Sequence, residues 1–175
     1  HPFAVEISSN LHKSCNEFNQ PLLRFERPNE DIPGSFLIEE LVDLSNYCFH
    51  NRNVLMAIGA RHLCEAVSIV RQSGANVFAR ILPTPESIKQ TLKCSLAESD
   101  YAIIRPFQGA RKGCFEHALC RRWLITDVIC RQSGGLTQRL WQEICQKDNI
   151  NLWLISRPAV ATGVDVVHTI QEVLD

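Results

Sequence analysis

No stretch of this sequence reads Gly-x-Gly-x-x-Gly, and none reads Gly-x-x-x-x-Gly-Lys-Ser/Thr. Those spacings wrap backbone N–H groups around a pyrophosphate or triphosphate, so the two most specific nucleotide signatures are missing. No Gly-x-Ser-x-Gly elbow is present, and Ser8, Ser133 and His117 form no legible hydrolase triad. No run approaches the ~18 apolar residues of a membrane span, and no signal peptide is visible, so no membrane partner is expected. Neither sign of charge dominates: 18 Lys and Arg face 19 Asp and Glu, for a net charge of -1. A nucleic-acid partner held by phosphate neutralisation is therefore not expected. The eight cysteines, at 15, 48, 64, 94, 114, 120, 130 and 145, include no Cys-x-x-Cys. Several lie inside apolar runs, where a thiol acts as a small hydrophobe, and the reading is of free cysteines in a reducing cytoplasm. Cys114, His117 and Cys120 look like a metal trio, but six residues of helix rise roughly 9 Å, too far for one zinc, and no metal site is expected. Methionine occurs once, at position 56, and residue 1 is His, so the reading expects upstream sequence to be missing.

What is present is ordinary globular composition, 45% hydrophobic and 21% charged. Val5 to Phe18 has helical spacing, Pro21 stops it, and Leu22 to Arg27 reads as a short strand. Pro28, Asn29, Asp31, Pro33 and Gly34 form the clearest linker in the chain. The spacing from Phe36 to Leu44 predicts an amphipathic helix after an N-cap at Ser35. From Asn53 the pattern turns regular. Strands are predicted at Val54 to Gly59, Asn76 to Leu82, Tyr101 to Ile104, Asp127 to Cys130 and Leu152 to Ile155. Between and after them come helices at Ala60 to Gln72, from Thr84-Pro85 onward, at Gly113 to Trp123, at Leu136 to Lys147 and near Val164 to Leu174. Five strands alternating with helices imply a doubly wound parallel sheet, a Rossmann-like α/β lobe. The expected division is a remnant of a first lobe and linker over 1–34, a connecting helix over 35–52, and a second lobe over 53–175.

In such a sheet ligands sit outside the carboxyl ends of the strands. There the sequence places Gly59-Ala60-Arg61, Arg80-Ile81-Leu82-Pro83, Arg105-Pro106-Phe107, Arg131-Gln132-Ser133-Gly134-Gly135 and Ser156-Arg157-Pro158. Each strand end carries an arginine, whose guanidinium stays charged and grips carboxylate or phosphate bidentately, so an acidic ligand is expected. The region from Arg105 to Arg139 holds seven bases against two acids, in keeping with a polyanionic partner or with a solvated face. Ser133-Gly134-Gly135 reads either as a cradle for an anion at a helix N-terminus or as a tight strand-to-helix turn.

A series of landmarks resembles the precorrin-6A reductases of cobalamin biosynthesis, cobalt-precorrin-6A reductases included. His1-Pro2-Phe3-Ala4 with Ile7-Ser8 is similar to the second half of that family's Asp-Ala-Thr-His-Pro-Phe-Ala segment. Leu23-Arg24-Phe25-Glu26-Arg27-Pro28 is similar to its Leu-Arg-x-Glu-Arg-Pro strand, and Ile58-Gly59, Arg80-Ile81-Leu82-Pro83, Pro106-Phe107, Ser133-Gly134 and Arg157-Pro158 correspond to its strand ends. The resemblance implies a two-lobe reductase that passes hydride from NADPH to an acidic tetrapyrrole in the cleft between lobes. It implies Ser8, Arg24 and Arg27 on one side of that cleft, and Arg61, Arg80, Phe107, Arg131, Ser133, Gly134 and Arg157 on the other.

Three departures accompany it. Arg131 stands where the family has Lys, Arg105 stands where it has the Gly of Gly-Pro-Phe, and the glycine-rich turn expected to hold the NADPH phosphates lies upstream of His1. The chain alone is thus expected to bind the cofactor weakly or not at all, and to be inactive by itself. The alternatives are a non-catalytic tetrapyrrole- or anion-binding relative, and an unrelated enzyme with a nucleotide or sugar-phosphate cradle at Ser133-Gly134-Gly135. A homo-oligomer is a further expectation, because a sheet fragment leaves strand edges to be paired.

Overall fold

The computed structural model describes residues 2–28, 32–109, 111–160 and 163–174. His1 of the resemblance, and Asn29, Glu30 and Asp31 of the expected linker, lie outside the described residues.

The strands predicted from Asn53 onward form as expected: β3 (Asn53–Ala57), β4 (Asn76–Ile81), β5 (Tyr101–Ile103), β6 (Asp127–Arg131) and β7 (Asn151–Ile155). Their near-continuous apolar runs alternate between two cores. Val54, Met56, Ile129, Trp153 and Ile155 pack on one face, where α2 (Leu63–Gln72) and α3 (Pro85–Thr91) lie. Leu55, Val128, Cys130, Leu152 and Leu154 pack on the other, under α4 (Cys114–Arg122) and α5 (Leu136–Asp148). Burial on both faces is what a parallel strand between helical layers requires. Helix α2 shows the logic from its side: Leu63, Ala66, Val67 and Val70 are buried at i, i+3, i+4 and i+7. Each of its larger apolar side chains contributes about 1.5–3 kcal/mol by leaving water.

The sheet has six parallel strands rather than five: with Phe36–Ile38 as β2, the order is β2-β7-β6-β3-β4-β5. The sixth corrects the helix expected from Phe36 to Leu44. Phe36–Ile38 is β2, paired with β7 in the register Phe36 to Trp153, and the following residues, Leu41–Asn46, form a 3-10 helix. Phe36 stacks on Trp153 at 4.3 Å between centroids, and Tyr47 and Phe49 meet the same indole edge-on at 4.7 and 5.1 Å. A reciprocal capping box between Glu40 and Asp43 opens the 3-10 helix, with the Glu40 amide donating to Asp43 Oδ2 at 2.8 Å. Strand and helix are thus spliced into a run whose spacing imitates one helix.

Near the amino end, α1 (Val5–Glu17) and β1 (Leu23–Phe25) form as predicted. The single helix expected over Val164 to Leu174 does not. Asp165–Val167 is β8, which pairs in parallel with β1, and only Ile170–Leu174 is helical (α6). The last strand therefore belongs to the β1–β8 sheet and not to the six-stranded one.

Two polar features complete the frame. Asp127 is wholly buried at the start of β6 and accepts hydrogen bonds from Thr126 Oγ1 (2.7 Å), Trp153 Nε1 (2.9 Å), Asn151 Nδ2 (3.0 Å) and Arg52 Nη1 (3.1 Å). It ties β3, β6 and β7 together at the end opposite their carboxyl termini. Against the expectation of free cysteines, Cys64 and Cys94 form a disulfide joining α2 to the segment after α3. The scatter of cysteines thus no longer argues by itself for a reducing compartment.

Candidate functional site

Strand order reverses between β3 and β6. From β3 the chain proceeds through β4 and β5 on one side, and from β6 through β7 on the other. A crevice opens outside the carboxyl ends at such a switch point. Here it is flanked by Ile58-Gly59-Ala60-Arg61 and Arg131-Gln132-Ser133. Arg61 and Arg131 line a cavity of about 400 Å³ there, together with Phe3, His62, Ile155, Ser156 and Pro158. The Arg131 guanidinium lies 5.1 Å from the centroid of the Phe3 ring. Burial first, and the like charge of Arg61 second, push the Arg131 guanidinium below its ordinary value. Neither arginine forms an ion pair among the described residues. Glu39, Glu40 and Glu65 also line the cavity but are exposed, and Glu65 lies 3.7 Å from His62. Two neighbouring cations beside an aromatic face, with no acid of the described residues bound to either, suit the carboxylates of a flat ligand.

A second cavity, about 640 Å³, lies over the β1–β8 sheet and is lined by Ser8, Ser9, Arg24, Glu26, Arg27 and Val164 among others. Val5, in the first turn of α1, lines both cavities, so they adjoin across that turn. Arg24 is already paired, donating from Nε to Glu26 Oε1 at 2.6 Å. Ser8 and Arg27 are the predicted residues of this cavity whose side chains form no ion pair among the described residues.

The Ser133-Gly134-Gly135 turn follows β6 and opens α5. The Gly134 amide donates to Gln138 Oε1 at 2.7 Å, one turn further along α5. Gly134 has φ +62, and a Cβ there would land on the guanidinium of Arg157. A Cβ on Gly135 would come within 2.6 Å of Arg27 Nη1. Both glycines are thus packed against this chain's own arginines. Arg157, expected to face the ligand, donates instead to three main-chain carbonyls: Nε to Gln132 (2.9 Å), Nη1 to Arg27 (2.6 Å) and Nη2 to Pro28 (3.0 Å).

The remaining predicted residues stand apart. Arg80 is buried, its guanidinium 5.9 Å from the Trp141 ring, and burial lowers its pKa against the opposing influence of Glu116 and Cys130. Both oxygens of the wholly buried Glu116 carboxylate, and Arg80 Nε, have no hydrogen-bond partner among the described residues. Phe107 adopts φ +61, lies 5.3 Å beneath Lys112 Nζ, and lines a shallow pocket with Arg105, Pro106 and Leu82. The five strand-end arginines thus share an edge but not a site. Sequence reasoning missed Phe3 as a wall of the Arg131 cavity, Gln138 as the group that closes the glycine turn, and Glu26 as the partner of Arg24. Phe3 and Glu26 sat inside the quoted motifs; nothing in the sequence marked Gln138. Among the described residues, no three His, Cys, Asp or Glu side chains come together to hold a metal, and no helix is long and apolar enough to cross a membrane.

The chain is 29% identical over 171 residues to a cobalt-precorrin-6A reductase of Synechocystis, covering 93% of this chain and 63% of that protein. It is 25% identical to a precorrin-6A reductase of Mycobacterium tuberculosis, covering 97% of this chain and 66% of that one. A solved structure, CobK precorrin-6A reductase, shares the fold with a TM-score of 0.74 at 24% identity, over 99% of this chain and 68% of that chain. The chain thus spans 63% and 66% of the length of these two curated relatives. The family described as precorrin-6x reductase CbiJ/CobK matches residues 1–175, and the chain belongs to it.

Proposed function

We propose that the protein containing this chain reduces precorrin-6A or cobalt-precorrin-6A in cobalamin biosynthesis, with NADPH as the hydride source. The relatives' names support the reaction class, and the paired guanidinium groups of Arg61 and Arg131 carry the reading of the site. The substrate is an acidic tetrapyrrole. On this reading its carboxylates are gripped by Arg61 and Arg131, its flat ring lies toward Phe3, and Ser8 and Arg27 close the adjoining cavity. NADPH supplies a hydride when bound. On this reading the Ser133-Gly134-Gly135 turn packs against Arg27 and Arg157, and the pyrophosphate of NADPH is held elsewhere.

Arg24, Arg80, Phe107, Ser133, Gly134 and Arg157 enter as supports rather than as ligand contacts. Arg24 is held by Glu26, Arg80 lies in the interior, and Ser133 offers its carbonyl to Arg27 Nη1 at 3.5 Å. The relatives reported above all carry reductase names, which favours the catalytic reading over the non-catalytic alternative that Arg131 in place of Lys suggests. The test is oxidation of NADPH by the gene product containing this chain when precorrin-6A is added. Turnover dependent on the substrate is expected, with a loss of roughly tenfold or more in kcat/KM for Arg61→Ala and for Arg131→Ala, as removal of a charge-assisted hydrogen bond implies. No turnover above blank would overturn the reading.

A further inference from the structure

The chain crosses twice between its two sheets. It leaves β1 through Glu26, Arg27 and Pro28 toward β2, and it returns from β7 through Ser156, Arg157, Pro158 and Ala159 toward β8. Arg157 sits on the return crossing. Its three nitrogens donate to Arg27 O and Pro28 O on the outgoing crossing and to Gln132 O at the exit of β6. Three segments far apart in sequence are thus held by one planar group. The side chain is only 9% exposed, its bond to Gln132 O is partly buried while those to Arg27 O and Pro28 O lie at the surface, and Arg157 Nη1 approaches Glu26 Oε2 at 3.9 Å, where Arg24 holds the other oxygen. Gly134 and Gly135 line the opposite wall. A side chain on Gly134 would displace Arg157, and one on Gly135 would displace Arg27. The glycine pair is therefore a socket for two arginines.

We propose that Arg157 is a positioning residue that clamps both crossings to the exit of β6 and so fixes the β1–β8 cavity against the Arg61–Arg131 cavity. The planar fork is needed because the three carbonyls point in from two segments, Arg27 and Pro28 on one and Gln132 on the other; a lysine ammonium is one point and cannot reach them all. Its consequence for ligand affinity rests on the proposed function, but the clamp itself does not.

The test is native-state hydrogen exchange on the unliganded chain, paired with calorimetric titration of cobyrinic acid as a carboxylated corrinoid probe. In Arg157→Ala, amides of the β1–β8 pairing, including Glu26 N–H to Val167 O, should exchange roughly tenfold faster or more, while Leu55 and Ile129 in the central sheet keep their protection. Gly134→Ala adds no charge and removes none, yet should reproduce the same local opening. The double variant should be less than additive, because the closest clash, with the guanidinium, is relieved, while the approach to Pro28 O and the backbone strain at φ +62 remain. Arg157→Lys should fall between wild type and Arg157→Ala. Should Arg157→Ala fail to fold, Gly134→Ala and Arg157→Lys carry the same comparison.

Unchanged exchange in both Arg157→Ala and Gly134→Ala, with corrinoid affinity lost in Arg157→Ala alone, would overturn the clamp and make Arg157 a ligand contact. Absence of corrinoid binding by wild type, with the exchange pattern as expected, would count against the proposed function and leave the clamp standing.

Discussion

Asp127→Ala should remove a large share of the fold's stability while leaving the ligand site intact. The carboxylate is wholly buried and accepts from the indole of Trp153, itself 6% exposed, and from the Asn151 amide. Losing the charged acceptor strands both donors, at about 1.5–3 kcal/mol each. Arg52 adds less, because its side chain is 43% exposed and water can replace the carboxylate there. The sum is roughly 3–5 kcal/mol, the range for breaking a buried pair by removing one partner, against about 5–15 kcal/mol for a whole domain. With a urea slope of about 2–3 kcal/mol/M, the midpoint should fall by roughly 1–2 M with the slope unchanged. Asp127→Asn should fall in between, since its carbonyl still accepts from Trp153 and Asn151 while its amide opposes Arg52. Arg131 lies four residues along the same strand, roughly 13 Å away, so corrinoid affinity of the folded variant should match wild type. A loss below about 1 kcal/mol for Asp127→Ala would refute the assignment of Asp127 as the hub of the sheet.

Other regions of the molecule give two more tests. Replacing Cys64 or Cys94 by Ser should cost about 2–4 kcal/mol, and reduction should cost wild type the same while leaving the variants unaffected; equal stability of oxidised and reduced wild type would contradict the pairing. Burial pushes the Cys120 and Cys130 thiols up to about 12, and it raises Cys145 as well. Their folded values lie above the unfolded ones, so the stability they contribute is fully present below pH ~9 and is lost as pH rises toward ~12, by about 1.4 kcal/mol per unit for each thiol. Denaturant titrations across that window should show stability falling with pH, and a flat profile would refute it. Thiol labelling at neutral pH should likewise mark the exposed Cys48 and Cys114 and spare these three.

The parts of the fold legible in the sequence were those whose burial is written locally. Strands β3, β4, β6 and β7 are short apolar runs bounded by polar residues, and α2 and α5 carry their apolar faces at helical spacing. What was not legible depends on partners distant in the chain. Phe36-Leu37-Ile38 has no pattern of its own that says strand; it becomes one because Trp153 offers both a sheet edge and an aromatic face. Asp165–Val167 is drawn out of a helix-like run by β1 in the same way. At the site, the sequence placed Arg61 and Arg131 at the edge where the switch point brings them together. It could not say which way a guanidinium turns, and so it grouped Arg157 and Arg80 with them. The Ser133-Gly134-Gly135 turn shows the same limit from the other side. Glycine marks a close approach, but the approaching group here is arginine and not a phosphate.

The central claim is that Arg61 and Arg131 together form the grip for an acidic corrinoid. Calorimetric titration of cobyrinic acid into wild type, Arg61→Ala, Arg131→Ala and the double variant tests it most directly. The account predicts binding by wild type, a loss of roughly tenfold or more in each single variant, and a shallower dependence on salt in each, since fewer charges then meet the ligand. Affinity and salt dependence unchanged in both single variants would contradict it, and would move the ligand away from the β3–β6 switch point.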